Sequence, residues 1–105
     1  MTRGGTDVGA LFGRALERSA DAAGLSLAIE RASATRWASA TFTGTRHDLT
    51  LTLAPGPAAA AWLATLPEAE WTIRGQLVAD LRVMRAAVTA DRLTAVIEAL
   101  TVEDR

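Results

Sequence analysis

Residues 36–53, RWASATFTGTRHDLTLTL, carry the reading on which the fold turns. From 46 to 53 the stretch alternates: Leu49, Leu51 and Leu53 point one way, Thr50 and Thr52 the other. That is the two-residue period of a strand with one buried face. The first half is rich in Thr, Trp and Phe, which suit a pleated, half-buried surface. Gly44-Thr45 fits a two-residue type II′ turn, in which Gly supplies the positive φ of the first central position. This closure pairs Phe42 with His47, Ala40 with Leu49 and Ala38 with Leu51. It leaves Trp37 on the opposite face beside Thr52. A three-residue loop, Thr43-Gly44-Thr45, would slip the register by one and bring Trp37 onto the leucine face; the two-residue turn is preferred.

Residues 1–5 are short, polar and Gly-rich, and are expected to fray. Thr6 or Asp7 can cap a following helix, in which Val8, Leu11, Phe12, Ala15 and Leu16 form one apolar stripe. Gly24 sits where a glycine ends a helix. Residues 25–31 put Leu25, Leu27 and Ile29 on one face and read as a strand, with 31–35 as a short turn into the hairpin. On the other side, Ala54-Pro55-Gly56-Pro57 is the clearest break in the chain. Pro57 suits the first position of an Ala-rich helix over 57–66, with Trp62, Leu63 and Leu66 on its buried side and Pro67 ending it.

The last third is ambiguous in period. Ile73, Leu77, Ala79, Leu81 and Val83 recur at period two; Leu77, Leu81, Met84 and Val88 recur near helical spacing, as do Leu93, Val96, Ile97 and Leu100. The β-branched residues Thr94, Val96, Ile97, Thr101 and Val102 favour strands, so the reading is a long β-hairpin linked through 88–92, with a helical hairpin as the alternative. The expected fold is α+β: elements α-β-β-β-α-β-β, an antiparallel sheet of about five strands with two helices on one face.

Composition narrows the chemistry. A chain of 105 residues suits a single domain. No apolar run is long enough to cross a bilayer, and no secretory h-region is apparent, so a cytoplasmic location is expected. Cysteine is absent, which removes disulfides and thiolate metal sites. A formal net charge of −1 gives no footprint for nucleic acid or an anionic membrane. All 11 basic residues are arginine, so there is no Schiff-base or phosphate-loop lysine, and no tyrosine can act as acid or base.

His47-Asp48 is the one place where a base and a carboxylate adjoin, and these two are the candidates for catalysis. Adjacent strand residues face opposite ways, however, so Asp48 is poorly placed to orient the ring. Glu68 and Glu70 lack a third ligand, and no metal or cofactor is expected. Asp48, Asp80 and Glu98 could supply paired carboxylates, but such trios are common. Trp37, Trp71, Arg46 and His47 are the candidate ligand or interface residues. Trp62 reads as core, whereas Trp37 falls on a face without helices, where an apolar patch commonly meets another chain.

The functional expectation is a non-enzymatic binding or assembly domain, a homodimer joined through the helix-free face or the edge of the terminal hairpin. Its partner would be itself, another protein or a small apolar ligand. The alternative is a small-molecule carrier or enzyme with a pocket near Arg46 and His47. An enclosed cavity touching His47 would favour the pocket; a filled core with a flat apolar outer face would favour assembly.

Overall fold

The computed structural model describes residues 7–104, so the fraying expected of residues 1–5 lies outside it. The elements are α1 (Val8–Ala22), β1 (Ala28–Ala38), β2 (Thr43–Leu53), α2 (Pro57–Thr65), a single 3₁₀ turn (Leu66–Glu68), β3 (Gln76–Thr89) and β4 (Arg92–Glu103). The strands form one antiparallel sheet in the order β1-β2-β4-β3, with both helices on one face. The class and the two helices are as expected. The sheet has four strands rather than about five.

The missing strand is a matter of turn chemistry. Residues 28–38 run as one strand, and no turn occurs over 31–35, where neither Gly nor Pro interrupts the chain. The reversal falls at Ser39–Phe42 instead. The Ser39 N–H donates to the Phe42 carbonyl at 2.8 Å, and its Oγ accepts from the Phe42 and Thr41 N–H groups at 3.1 and 3.4 Å. A serine hydroxyl that mimics a backbone acceptor is a turn device in its own right. Gly44 is a strand residue paired with Trp37 and Val102. Its lack of a side chain serves close approach: a Cβ there would lie 2.7 Å from Trp37 Cζ2 and against the carbonyl of Thr101. The expected pairings therefore shift. His47 faces Ala34 instead of Phe42, Leu51 faces Ile29, and Trp37 lies beside Gly44 instead of Thr52. Phe42 is on the exposed turn.

The helix-covered face carries the core. Leu49, Leu51 and Leu53 of β2 oppose Ile97, Ala95 and Leu93 of β4 and are buried under α1 and α2. Asp7 caps α1 by accepting from the Ala10 N–H at 3.2 Å, and Gly24 at φ +78° ends it. Phe12, Ala15, Leu16 and Ala20 supply its buried stripe. Pro57 opens α2, whose Trp62 donates from Nε1 to Ser19 Oγ at 2.9 Å and ties the two helices together. Leu27, Ile29 and Leu11 are only partly buried, because β1 is an edge strand.

The last third is a β-hairpin, closed by a turn in which Ala90 adopts φ 57°. Its simple alternation fails at two bulges, where Ala79 and Met84 are extra to the β4 register. Leu77 consequently shares the helix-free face with Asp80 and Arg82, while Val78, Leu81 and Val83 face the core. Among the described residues, no helix is long and apolar enough to cross a membrane.

Candidate functional site

His47 sits mid-strand on β2, facing the helices, and is 1 % exposed. The β2 alternation puts it there, in line with Leu49 and Leu51. Its ring lies 4.7 Å from that of Phe12 of α1, tilted by 40°. Nε2 is 3.0 Å from the hydroxyl of Thr101, which in turn donates to the Thr45 carbonyl at 3.4 Å. The His47 tautomer sets which of the two groups donates in the 3.0 Å contact. Burial pushes the His47 pKa down, against a smaller opposing pull from Asp48, so the ring is neutral near pH 7.

A groove of about 500 Å³ opens beside this ring, between α1 and β1. Gly9, Gly13 and Arg14 line one wall and Ile29, Ala32 and Ala34 the other, with His47 and Leu49 at its base. Its flanking charges, Asp7, Arg14 and Glu17, are exposed. No carboxylate accepts a hydrogen bond from His47 among the described residues. The ring is thus held by a hydroxyl and an aromatic contact, in an arrangement that fixes its orientation without raising its basicity.

Asp48 and Arg46 point to the other side of the sheet, as neighbours of His47 on a strand must. The structure therefore separates Arg46 from His47 and does not place them at the mouth of one pocket. On that helix-free face Glu98 of β4 is a hub. It accepts from Arg46 at 2.9 Å and from Arg82 at 3.0 Å, and Arg82 also pairs with Asp80 at 3.4 Å. The hydrogen bond from Arg46 is the main reason that the Glu98 carboxyl is held below its ordinary pKa, and it keeps Arg46 more firmly charged. Asp48 stands directly opposite Glu98. These carboxylates share a face, but Glu98 is locked as an anion by its arginines and cannot serve as a proton donor near neutrality. Among the described residues no cluster of His, Asp and Glu could hold a metal ion.

The two remaining candidate residues lie apart. Trp37 reaches across Gly44 on the helix-free face, next to Val102 and Leu77 in the same row. Trp71 packs edge-on against Phe12 at 6.1 Å, on the helix side. Both indole N–H groups are buried without an acceptor among the described residues. The outer face is accordingly mixed: ion pairs at its centre, an apolar row at one end. Two contributors went unnoticed in the sequence, Phe12 as the ring partner of His47 and Thr101 as its hydrogen-bond partner. The inward-facing alternation of β4 carried the signal for Thr101, but it needed the β2–β4 register to be read.

No protein-family model and no curated protein matches the chain. Among solved structures, a chain described as "Virion of native gene transfer agent (GTA) particle" is similar, with a TM-score of 0.55 and 22 % identity. The match covers 76 % of this chain and 69 % of that one. At this identity the likeness is one of fold.

Proposed function

We propose that the chain is a non-enzymatic assembly domain, a single domain acting in the cytoplasm and associating with a second copy of itself. The observation that carries this reading is the open sheet. β1 and β3 are both edges, and most residues of both strands are exposed, so their outer backbone groups are left without a sheet partner. The similar fold in a virion chain supports it, since a virion chain works within an assembly. The placement of Trp37 and Arg46 on the helix-free side, and of Trp71 at the margin of the helix layer, makes them candidate interface residues. Light scattering at tens of micromolar should give twice the 11.0 kDa chain mass. A clean monomer at that concentration overturns the reading.

The groove beside His47 favours a second reading, a small-molecule carrier whose ligand lies between α1 and β1. Native mass spectrometry of freshly purified protein tests it: a stoichiometric small-molecule adduct supports the carrier, and bare chains at every charge state count against it.

A further inference from the structure

The two free edges are not equivalent. β3 is bulged at Ala79 and again at Met84, and Asp80, Arg82 and Arg85 line it. Bulges and charges are the devices by which proteins discourage edge-to-edge pairing. β1 has one bulge, at Glu30 near its start. Beyond it, Arg31 to Ala38 runs in unbroken register with β2. Residues 32–35 are Ala, Ser, Ala and Thr, without charge or proline, and all are exposed. Arg31 and Arg36 flank this uncharged centre, which is a regular template for a further strand.

We propose that β1 is the self-association edge, pairing antiparallel with β1 of a second copy about a two-fold axis at Ala34. The proposal rests on the assembly reading and names its surface. Face identity restricts the register. Arg31, Ser33, Thr35 and Trp37 point to the helix-free side; Ala32, Ala34 and Arg36 point to the helix side. A two-fold axis normal to the sheet keeps each face on its own side, so only residues of the same face can stand opposite one another. Centred on Ala34, Ser33 faces Thr35 of the second copy, two hydroxyls able to hydrogen-bond. Arg31 faces Trp37. Arg31 pairs with no described carboxylate, and Trp37, partly exposed over Gly44, offers its ring to a guanidinium. Centring one residue earlier brings the Glu30 bulge into the ladder; one residue later sets Arg31 against the Ser39 turn. On the helix side, Gly9 lies over Ala34 so closely that its missing Cβ would be 3.3 Å from the Ala34 Cβ. Pairing here also closes the open side of the groove beside His47.

The chain has no cysteine, so single-cysteine variants report cleanly. Ala34→Cys on mild oxidation should give a disulfide-linked dimer, because its sulfur meets its own copy across the axis, whereas Ala87→Cys on β3 should not. Ser33→Glu with Thr35→Glu sets carboxylates against carboxylates and should leave a folded monomer by light scattering and circular dichroism. Ser33→Glu with Thr35→Lys should restore the dimer. A wild-type dimer that neither cross-links through Ala34→Cys nor dissociates with the paired glutamates overturns the β1 edge and leaves the assembly reading standing. Cross-linking through Ala87→Cys instead assigns association to β3. A monomeric wild-type chain overturns both. Should the double-glutamate variant fail to fold, the cysteine result still decides.

Discussion

Gly44→Ala tests the most position-specific contact in the sheet. The added methyl would come within 2.7 and 2.8 Å of Trp37 Cζ2 and Cε2 and press against the Thr101 carbonyl. The indole can tilt, at the loss of its packing on the sheet. The carbonyl is part of β4 and can move only with the strand. Overpacking of this kind costs about 1–3 kcal/mol, and the backbone obstruction argues for the upper end. With a urea m-value of roughly 1–2 kcal/mol/M for a small domain, a loss of about 3 kcal/mol lowers the midpoint by roughly 1.5–3 M. Urea unfolding followed by tryptophan fluorescence at fixed protein concentration measures it. A double-mutant cycle with Trp37→Ala separates the two obstructions: coupling of about 1 kcal/mol or more is expected from the ring, with a residual penalty from the carbonyl. A Gly44→Ala loss below about 0.5 kcal/mol would refute the close approach.

Leu51→Ala, at a fully buried position between Ile29 and Ala95, should cost about 2–5 kcal/mol in the same assay; a negligible loss would mean the leucine face is not the core. His47 binds its proton more weakly folded than unfolded, so stability is fully present above its unfolded pKa of about 6.5 and falls as pH drops from there toward its lower folded value. Thermal melts across that window should show a loss in the wild type that His47→Gln lacks, and parallel curves would exclude His47 as its source. Ala90→Gly should stabilise by roughly 0.5–1 kcal/mol, since Ala90 holds φ 57° where glycine is unstrained; destabilisation would contradict that turn.

Much of the architecture was legible because local chemistry and tertiary demand agree. Asp7, Gly24 and Pro57 bound their helices as short-range rules require. The leucines of β2 are on the buried face that their alternation implies. The hairpin turn was illegible for a definite reason: Gly44 satisfies two physical needs equally well, and only the ring of Trp37 distinguishes them. Ser39 is a weak turn signal compared with a glycine, so local sequence points to Gly44 rather than to Ser39 for the reversal. Bulges at Ala79 and Met84 hid in the same way, because an extra residue leaves no mark on composition. At the candidate site, strand parity separates His47 from Asp48 in the sequence itself; the same parity puts Arg46 on the opposite face from His47, which the expectation of one pocket near both residues overlooks. The neighbours contributed by Phe12 and Thr101 come from distant elements, which no local spacing encodes.

The strand order β1-β2-β4-β3 has a consequence for how the molecule forms in time. Each outer strand is joined to its inner neighbour by a short reversal, so two hairpins can close within microseconds without waiting for one another. The seam between β2 and β4 is different: Leu49 meets Ile97 and Leu51 meets Ala95 only after a long loop has been drawn in. That seam is where chain entropy is surrendered for non-local contacts, and it should set the folding rate. Truncating Ile97 should therefore slow refolding, whereas changes near Ala90 or along the outer run of β3 should mainly hasten unfolding. Until the seam closes, two half-sheets stand with their apolar faces open to water, and in that interval the chain is most exposed to wrong partners.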